Sequence, residues 1–214
     1  MVIDDGIAIS LQIIMSVGNL SLKKKEQKLY FIAIVPPPPI YEETLEQKAY
    51  FKSKYNSKAS LNSPPHITLH MPFRWNENDE EELFSHLKTF ADESPPVTIQ
   101  LKDFSSFPPR VIFINVVITP ELENLQKNLQ RYFKRQLNIF NANYKELPFH
   151  PHLTLAFRDL KKPNYQKAWE EFVSKNYQAT FLASTFALLK HSGSVWEVHK
   201  EFTLGQASVS QEVS

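Results

Sequence analysis

Residues 64–73 read PPHITLHMPF and residues 149–157 read FHPHLTLAF. In each, proline precedes an alternation of polar and apolar residues, the pattern of a strand with one buried face. Side chains two apart share a face of a strand. His66 and Thr68 therefore point one way, while Ile67 and Leu69 point into a core. His152 and Thr154 divide in the same way from Leu153 and Leu155. Each strand offers an imidazole beside a hydroxyl, with Cα atoms ~6–7 Å apart. A chain with 7 histidines and few threonines yields less than one His-x-Thr by chance; two on proline-led alternating strands point to a site.

The segments around these strands repeat. Residues 28–35 (KLYFIAIV) read as a strand, and residues 41–55 as a helix with Tyr41, Leu45 and Ala49 at spacing four. After the first His-x-Thr strand, Asn78 and Asp79 cap a helix striped by Leu83, Phe84, Leu87, Phe90 and Ala91. Residues 97–104 follow as a strand. The second half begins with a strand at 110–118 and a helix capped by Thr119, with Pro120 at its first position. Leu122, Leu125, Leu129 and Phe133 form its stripe. The second His-x-Thr strand spans 148–157. Pro163 and Asn164 then open a helix carrying Tyr165, Ala168, Trp169, Phe172 and Val173, and residues 178–189 read as one strand. A last strand, 195–204, lies outside the repeat. His66 to His152 and Asn78 to Asn164 keep the same offset of 86 residues.

The expected fold is α+β: a bilobal internal duplication, with two antiparallel sheets lining a central cleft and helices on the outside. One domain is expected over 28–205, with pseudo-repeats at 28–105 and 110–190. Residues 1–27 read as an N-terminal extension and 206–214 as a tail. Residues 7–22 are apolar, but acidic Asp4 and Asp5 precede them and Lys23–Lys25 follow. That is the reverse of a secretory signal, and the apolar run is short for a membrane span. A cytoplasmic monomer without membrane attachment is expected.

Composition narrows the chemistry. Lys and Arg number 24 against 23 Asp and Glu, which leaves no charge excess for coating duplex DNA. Cysteine is absent, so thiolate metal sites and cysteine nucleophiles are excluded. Four glycines include no phosphate-cradling glycine loop. Phosphate chemistry here needs side chains.

Paired across a pseudo-twofold axis, the two strands would form a cage of two imidazoles and two hydroxyls. Two histidines can hold opposite protonation states near neutral pH. One takes a proton from water or a ribose hydroxyl, and the other protonates the departing oxygen. Thr68 and Thr154 can donate hydrogen bonds to non-bridging phosphate oxygens. These parts suit in-line displacement at a phosphodiester without metal or cofactor, a 2′,3′-cyclic phosphate being the natural substrate. His66 and His70 stand four apart, but on a strand that is ~13 Å, too far for one ion. His150 and His152 could share a metal, yet neither motif holds a carboxylate. His70 shares the face of His66 and lines the cleft mouth on this reading. His86, His191 and His199 read as surface, as do Arg74 and Arg158. Phe31, Phe107 and Phe157 can serve as core or as stacking surfaces for a base.

The two motifs resemble the paired His-x-Thr-hydrophobic motifs of the 2H phosphoesterase superfamily, which includes the RNA 2′,3′-cyclic phosphodiesterases called 2′–5′ RNA ligases. The resemblance covers residues 28–205. PPHITL at 64–69, SSFPPRVIFI at 105–114 and LLKHSGSVWEVHKEFTLG at 188–205 are similar to a YjcG-like bacterial branch. It implies that His66 and His152 are the catalytic pair, His66 as proton donor and His152 as acceptor, with Thr68 and Thr154 binding phosphate. It implies a nucleotide or RNA-end substrate. HMPFRW at 70–75 lacks the Phe-Leu-Gly run typical of the better-characterised RNA phosphodiesterases, so the substrate stays open. A non-catalytic phosphate-binding module and a 2′–5′ RNA ligase running the reverse reaction use the same four side chains.

Overall fold

Tyr30 to Ile34 are buried one after another, the mark of a strand covered on both faces. This strand, β1 (Gln27–Ile34), lies well inside the sheet. The computed structural model describes residues 27–140 and 148–205. The expected extension (residues 1–26 of it) and the tail at 206–214 lie outside the described residues; Gln27 itself pairs with Asn76 in the sheet.

The remaining strands are β2 (Ile67–Asn76), β3 (Val97–Phe107), β4 (Val111–Val116), β5 (His152–Ala156), β6 (Gln178–Ala183), β7 (Thr185–His191) and β8 (Trp196–Thr203). The helices are α1 (Ile40–Tyr55), α2 (Glu80–Asp92), α3 (Pro120–Gln136) and α4 (Lys162–Phe172). The cap expected at Thr119 is present: its Oγ1 accepts a hydrogen bond from the Leu122 amide at 3.3 Å, with Pro120 leading the helix. The stripes of α2 and α3 are buried at Leu83, Leu87, Phe90, Leu122, Leu125, Leu129 and Phe133. In α1 the buried face is Ile40, Thr44, Lys48, Phe51 and Tyr55 rather than the expected Tyr41, Leu45 and Ala49. Two polar residues occupy that inner face, which hid it from a count of apolar spacing.

The two expected sheets are halves of one. All eight strands form a single antiparallel sheet in the order β6-β3-β4-β5-β2-β1-β7-β8. The halves meet where β2 pairs with β5 at Ile67 and Leu153, both fully buried. The order explains a second difference. Residues 178–189 are not one strand: Ser184 separates β6 from β7, which lie at the first and seventh places of the sheet. Six strand spacings would put them ~29 Å apart in a flat sheet, yet two Cα steps join them. The sheet therefore curls into a half-barrel, with the helices on its outer face.

One apolar core unites both halves and includes Ile67, Leu69, Leu153 and Leu155 together with the helix stripes. A smaller cluster of Phe31, Ala33, Ala187 and Leu189, joined by Val35 and Trp196, covers the other face of β1 and β7. Glu171 ties α4 to α1, accepting hydrogen bonds from the hydroxyls of Tyr50 (2.6 Å) and Tyr55 and ion pairs from Lys54 and Lys175 (2.7 Å each).

Candidate active site

The β2–β5 junction builds the site. In an antiparallel pair, register runs in opposite directions from the matched residues. With Ile67 opposite Leu153, His66 faces Thr154 and Thr68 faces His152. Ile67 and Leu153 point into the core, so all four polar side chains stand on the opposite, concave face. His66 and His152 are diagonal neighbours in this square, ~7–8 Å apart at their Cα atoms. The structure thus brings all four expected side chains together.

Both rings are held in the same way. His66 Nδ1 lies 2.7 Å from the Pro64 carbonyl, and His152 Nδ1 lies 2.8 Å from the His150 carbonyl. A carbonyl only accepts, so Nδ1 carries the proton in each ring. Nε2 then holds the lone pair when the ring is neutral, and it makes no hydrogen bond within the described residues. Among the described residues neither threonine hydroxyl has a hydrogen-bond partner, and both residues are only half-buried. Proline before each motif fixes the chain so that the carbonyl two residues back meets the ring.

Burial dominates the protonation of both rings. It pushes His66 down to about 4; the Pro64 carbonyl acts against this, while the charges of Lys48 and His152 add to it. His152 is also pushed below the ordinary histidine value, again by burial first, with its His150 hydrogen bond opposing. Both rings are therefore neutral near pH 7.

Aromatic rings flank the cage. Phe31 packs on His66 with centroids 4.8 Å apart, Trp196 on Phe31 at 4.7 Å, and His191 on Trp196 at 4.9 Å. On the other side Phe113 and Phe107 pack on His152 at 4.9 and 5.3 Å, and His150 stacks among them. Phe31 and Phe107 thus border the site, whereas Phe157 lies under the guanidinium of exposed Arg158. Arg74 is exposed as expected. Asn115 pairs across from His152 on β4, a site neighbour that no motif announced.

Two other histidines depart from the expected reading. His70 does not line the cleft. It is buried, packing on Phe133 and Phe73 at 5.0 and 5.5 Å. The register explains this: Thr68 pairs with Ala33 but His70 with Ile32, so β2 carries an extra residue there. This bulge turns His70 to the core side. His86 is partly buried and bonds the Tyr132 hydroxyl at 3.1 Å, between α2 and α3. His199 is exposed as expected, and it bonds Glu80 at 3.1 Å beside Lys190. Among the described residues, no group of three or more His, Asp or Glu side chains is placed to hold a metal ion. No helix among them is long and apolar enough to cross a membrane.

A curled antiparallel sheet carries the two His-x-Thr pairs at its central seam. Residues 36–194 match the model of the 2′-5′ RNA ligase superfamily, and the chain belongs to this family, the 2H phosphoesterases. It is similar to "Putative phosphoesterase GK0864" of Geobacillus kaustophilus, at 31% identity over 82% of this chain and 96% of the relative. A relative of the same description from Bacillus cytotoxicus is 32% identical over 68% of this chain and 81% of its own. Among solved structures, TT0787 of Thermus thermophilus covers 84% of this chain and 98% of its own, with TM-score 0.61 at 19% identity. Escherichia coli LigT in apo form covers 85% and 99%, with TM-score 0.60 at 20% identity. LigT has also been solved with 3′-AMP. These structural likenesses concern the fold.

Proposed function

We propose that this protein is a metal-independent phosphoesterase that opens a 2′,3′-cyclic phosphate, or cleaves a 2′–5′ phosphodiester, of a nucleotide or RNA end. The observation that carries this reading is the square of His66, Thr154, Thr68 and His152 around the Ile67–Leu153 pair. The phosphate anion lies in the gap between the rings. Thr68 and Thr154 donate hydrogen bonds to its non-bridging oxygens and balance the charge that builds there. His152 takes a proton from the attacking water through Nε2 as the water oxygen bonds to phosphorus. His66, protonated at Nε2, gives its proton to the departing ribose oxygen as the P–O bond breaks. Water is consumed and a phosphomonoester with one freed hydroxyl results. The order follows the family resemblance; the near-twofold square accommodates it.

Burial keeps both rings neutral near pH 7, and the substrate changes this. A negative charge in contact with Nε2 favours the imidazolium. Binding therefore supplies the protonated acid that the mechanism needs. Nucleotide recognition is supported by the likeness to LigT, whose structures include complexes with 3′-AMP and phosphate. The active unit of this reading is the single domain over 28–205.

The test is turnover of 2′,3′-cyclic nucleotides and 2′–5′ dinucleotides with EDTA present, beside calorimetry with the same compounds. Product formation unaffected by EDTA is expected. Binding without product would make the site a recognition module, and loss of turnover on chelation would remove the metal-independent mechanism.

A further inference from the structure

Lys48 lies on the inner face of α1 and is 1% exposed. Its Nζ donates to the carbonyls of Ser60 and Ser63, each at 3.0 Å. Among the described residues it has no carboxylate partner. A lysine is seldom buried without one, so the geometry around it calls for a reason.

The two carbonyls belong to the turn that leads directly into the first motif. The next carbonyl, that of Pro64, is the one that holds His66 Nδ1. The same turn is fixed to the second half of the molecule. Ser60 Oγ donates to the Leu155 carbonyl on β5 at 2.6 Å. Asp159, just beyond β5, accepts from Ser57 Oγ and the Lys58 amide at 2.8 Å and from the Ala59 amide at 3.0 Å. Lys48 is thus the inner pin of a turn whose outer end carries His66 and whose middle is joined to the strand of His152.

Building on the proposed activity, we propose that Lys48 is a positioning residue for His66. It fixes the carbonyl turn on which the His66 imidazole is mounted, and through that turn the spacing of His66 from β5. It touches neither substrate nor the reacting atoms.

Charge provides a readout that a purely architectural lysine would not share. Lys48 on α1 and His152 on β5 both act on the His66 ring against its protonation, while Lys58 in the turn and Asp159 after β5 are the charged residues at the turn's anchor. Burial lowers Lys48 to about 7, so it is charged throughout the range in which His66 titrates. Removing that positive charge makes His66 easier to protonate, and its titration moves up in pH.

The experiment compares Lys48→Met, which removes donors and charge at similar length, with Lys48→Gln, which keeps an amide donor. Each is read by NMR titration of the His66 ring in the ligand-free protein and by kcat and KM on a 2′,3′-cyclic nucleotide. Lys48→Met is expected to lower kcat per folded molecule by about 10- to 100-fold, the effect of a small misplacement of a catalytic group. KM should stay within a few-fold, the His66 titration should move upward, and Lys48→Gln should recover part of kcat. If Lys48→Met does not fold, Lys48→Gln carries the test through the same titration shift. An unmoved titration, or a loss of activity matched entirely by loss of folded protein, overturns the proposal. The titration is read without substrate, so a protein that turns over no phosphodiester would refute the activity while leaving this link measurable.

Discussion

His66 and His152 are alike in their mounting and unlike in their surroundings. Each ring is tied at Nδ1 to a carbonyl two residues back and presents Nε2 to the gap. Only His66 feels a buried lysine. Burial depresses both rings in the empty protein, and a bound phosphate anion raises both. This difference has a kinetic signature. The pH dependence of kcat/KM reports free enzyme and that of kcat reports the complex. Both profiles should be bells, and the kcat bell should sit at higher pH than the kcat/KM bell. Coincident profiles, or the opposite displacement, would show that the anion does not lie against the two rings. The four residues of the square were legible in the sequence because strand periodicity assigns a face without knowledge of the partner strand. Lys48 was not: a lysine on a charged helix reads as solvent-facing, and only the packing of α1 against the turn before β2 reveals it.

The bulge in β2 shows how an element can override local pattern. Alternation from His66 predicts His70 on the cleft face, but one extra residue between Thr68 and His70 turns it inward. There His70 Nδ1 bonds the Met71 carbonyl, while Nε2 is buried with no hydrogen-bond partner among the described residues. Burial holds this ring below the ordinary histidine value. In the unfolded chain a histidine titrates near ~6.5. The unfolded state therefore binds more protons once pH falls below that value, and stability declines with acidity from there toward the native pKa. His70→Leu removes the contribution of this ring, and its destabilisation between pH 7 and 5 should be shallower than in the unaltered protein. Denaturant midpoints across that range measure it. His66 and His152 act in the same direction, so a reduced slope is expected, and an equal slope would contradict the account. Element types were read correctly where a period was long and clean, as in α3 with its Thr119 cap. The strand at 178–189 failed because a single residue, Ser184, suffices to pass the chain from the first strand of the curled sheet to the seventh. Sequence alternation records faces, and it contains no mark of such a crossing.

Across the whole molecule, the strand order has a symmetry of its own. Reading outward from the seam, β5-β4-β3 on one side answers β2-β1-β7 on the other. The pairing of β2 with β5 at Ile67 and Leu153 joins the two sets of four strands into one sheet. This arrangement leaves β2 and β5 innermost, and it puts the His-x-Thr pair of each half against that of the other. Full burial of Ile67 and Leu153 stabilises the seam, at about 1.5–3 kcal/mol for each such side chain. The function proposed here depends on the two halves acting on one phosphorus atom. The most direct measurement is turnover of a 2′,3′-cyclic nucleotide by His66→Ala and by His152→Ala, with melting temperatures recorded alongside. Each substitution should lower kcat/KM by about 10²–10⁴-fold while melting stays close to that of the unaltered protein. Near-normal turnover in either folded variant would contradict the claim that both rings serve a single displacement.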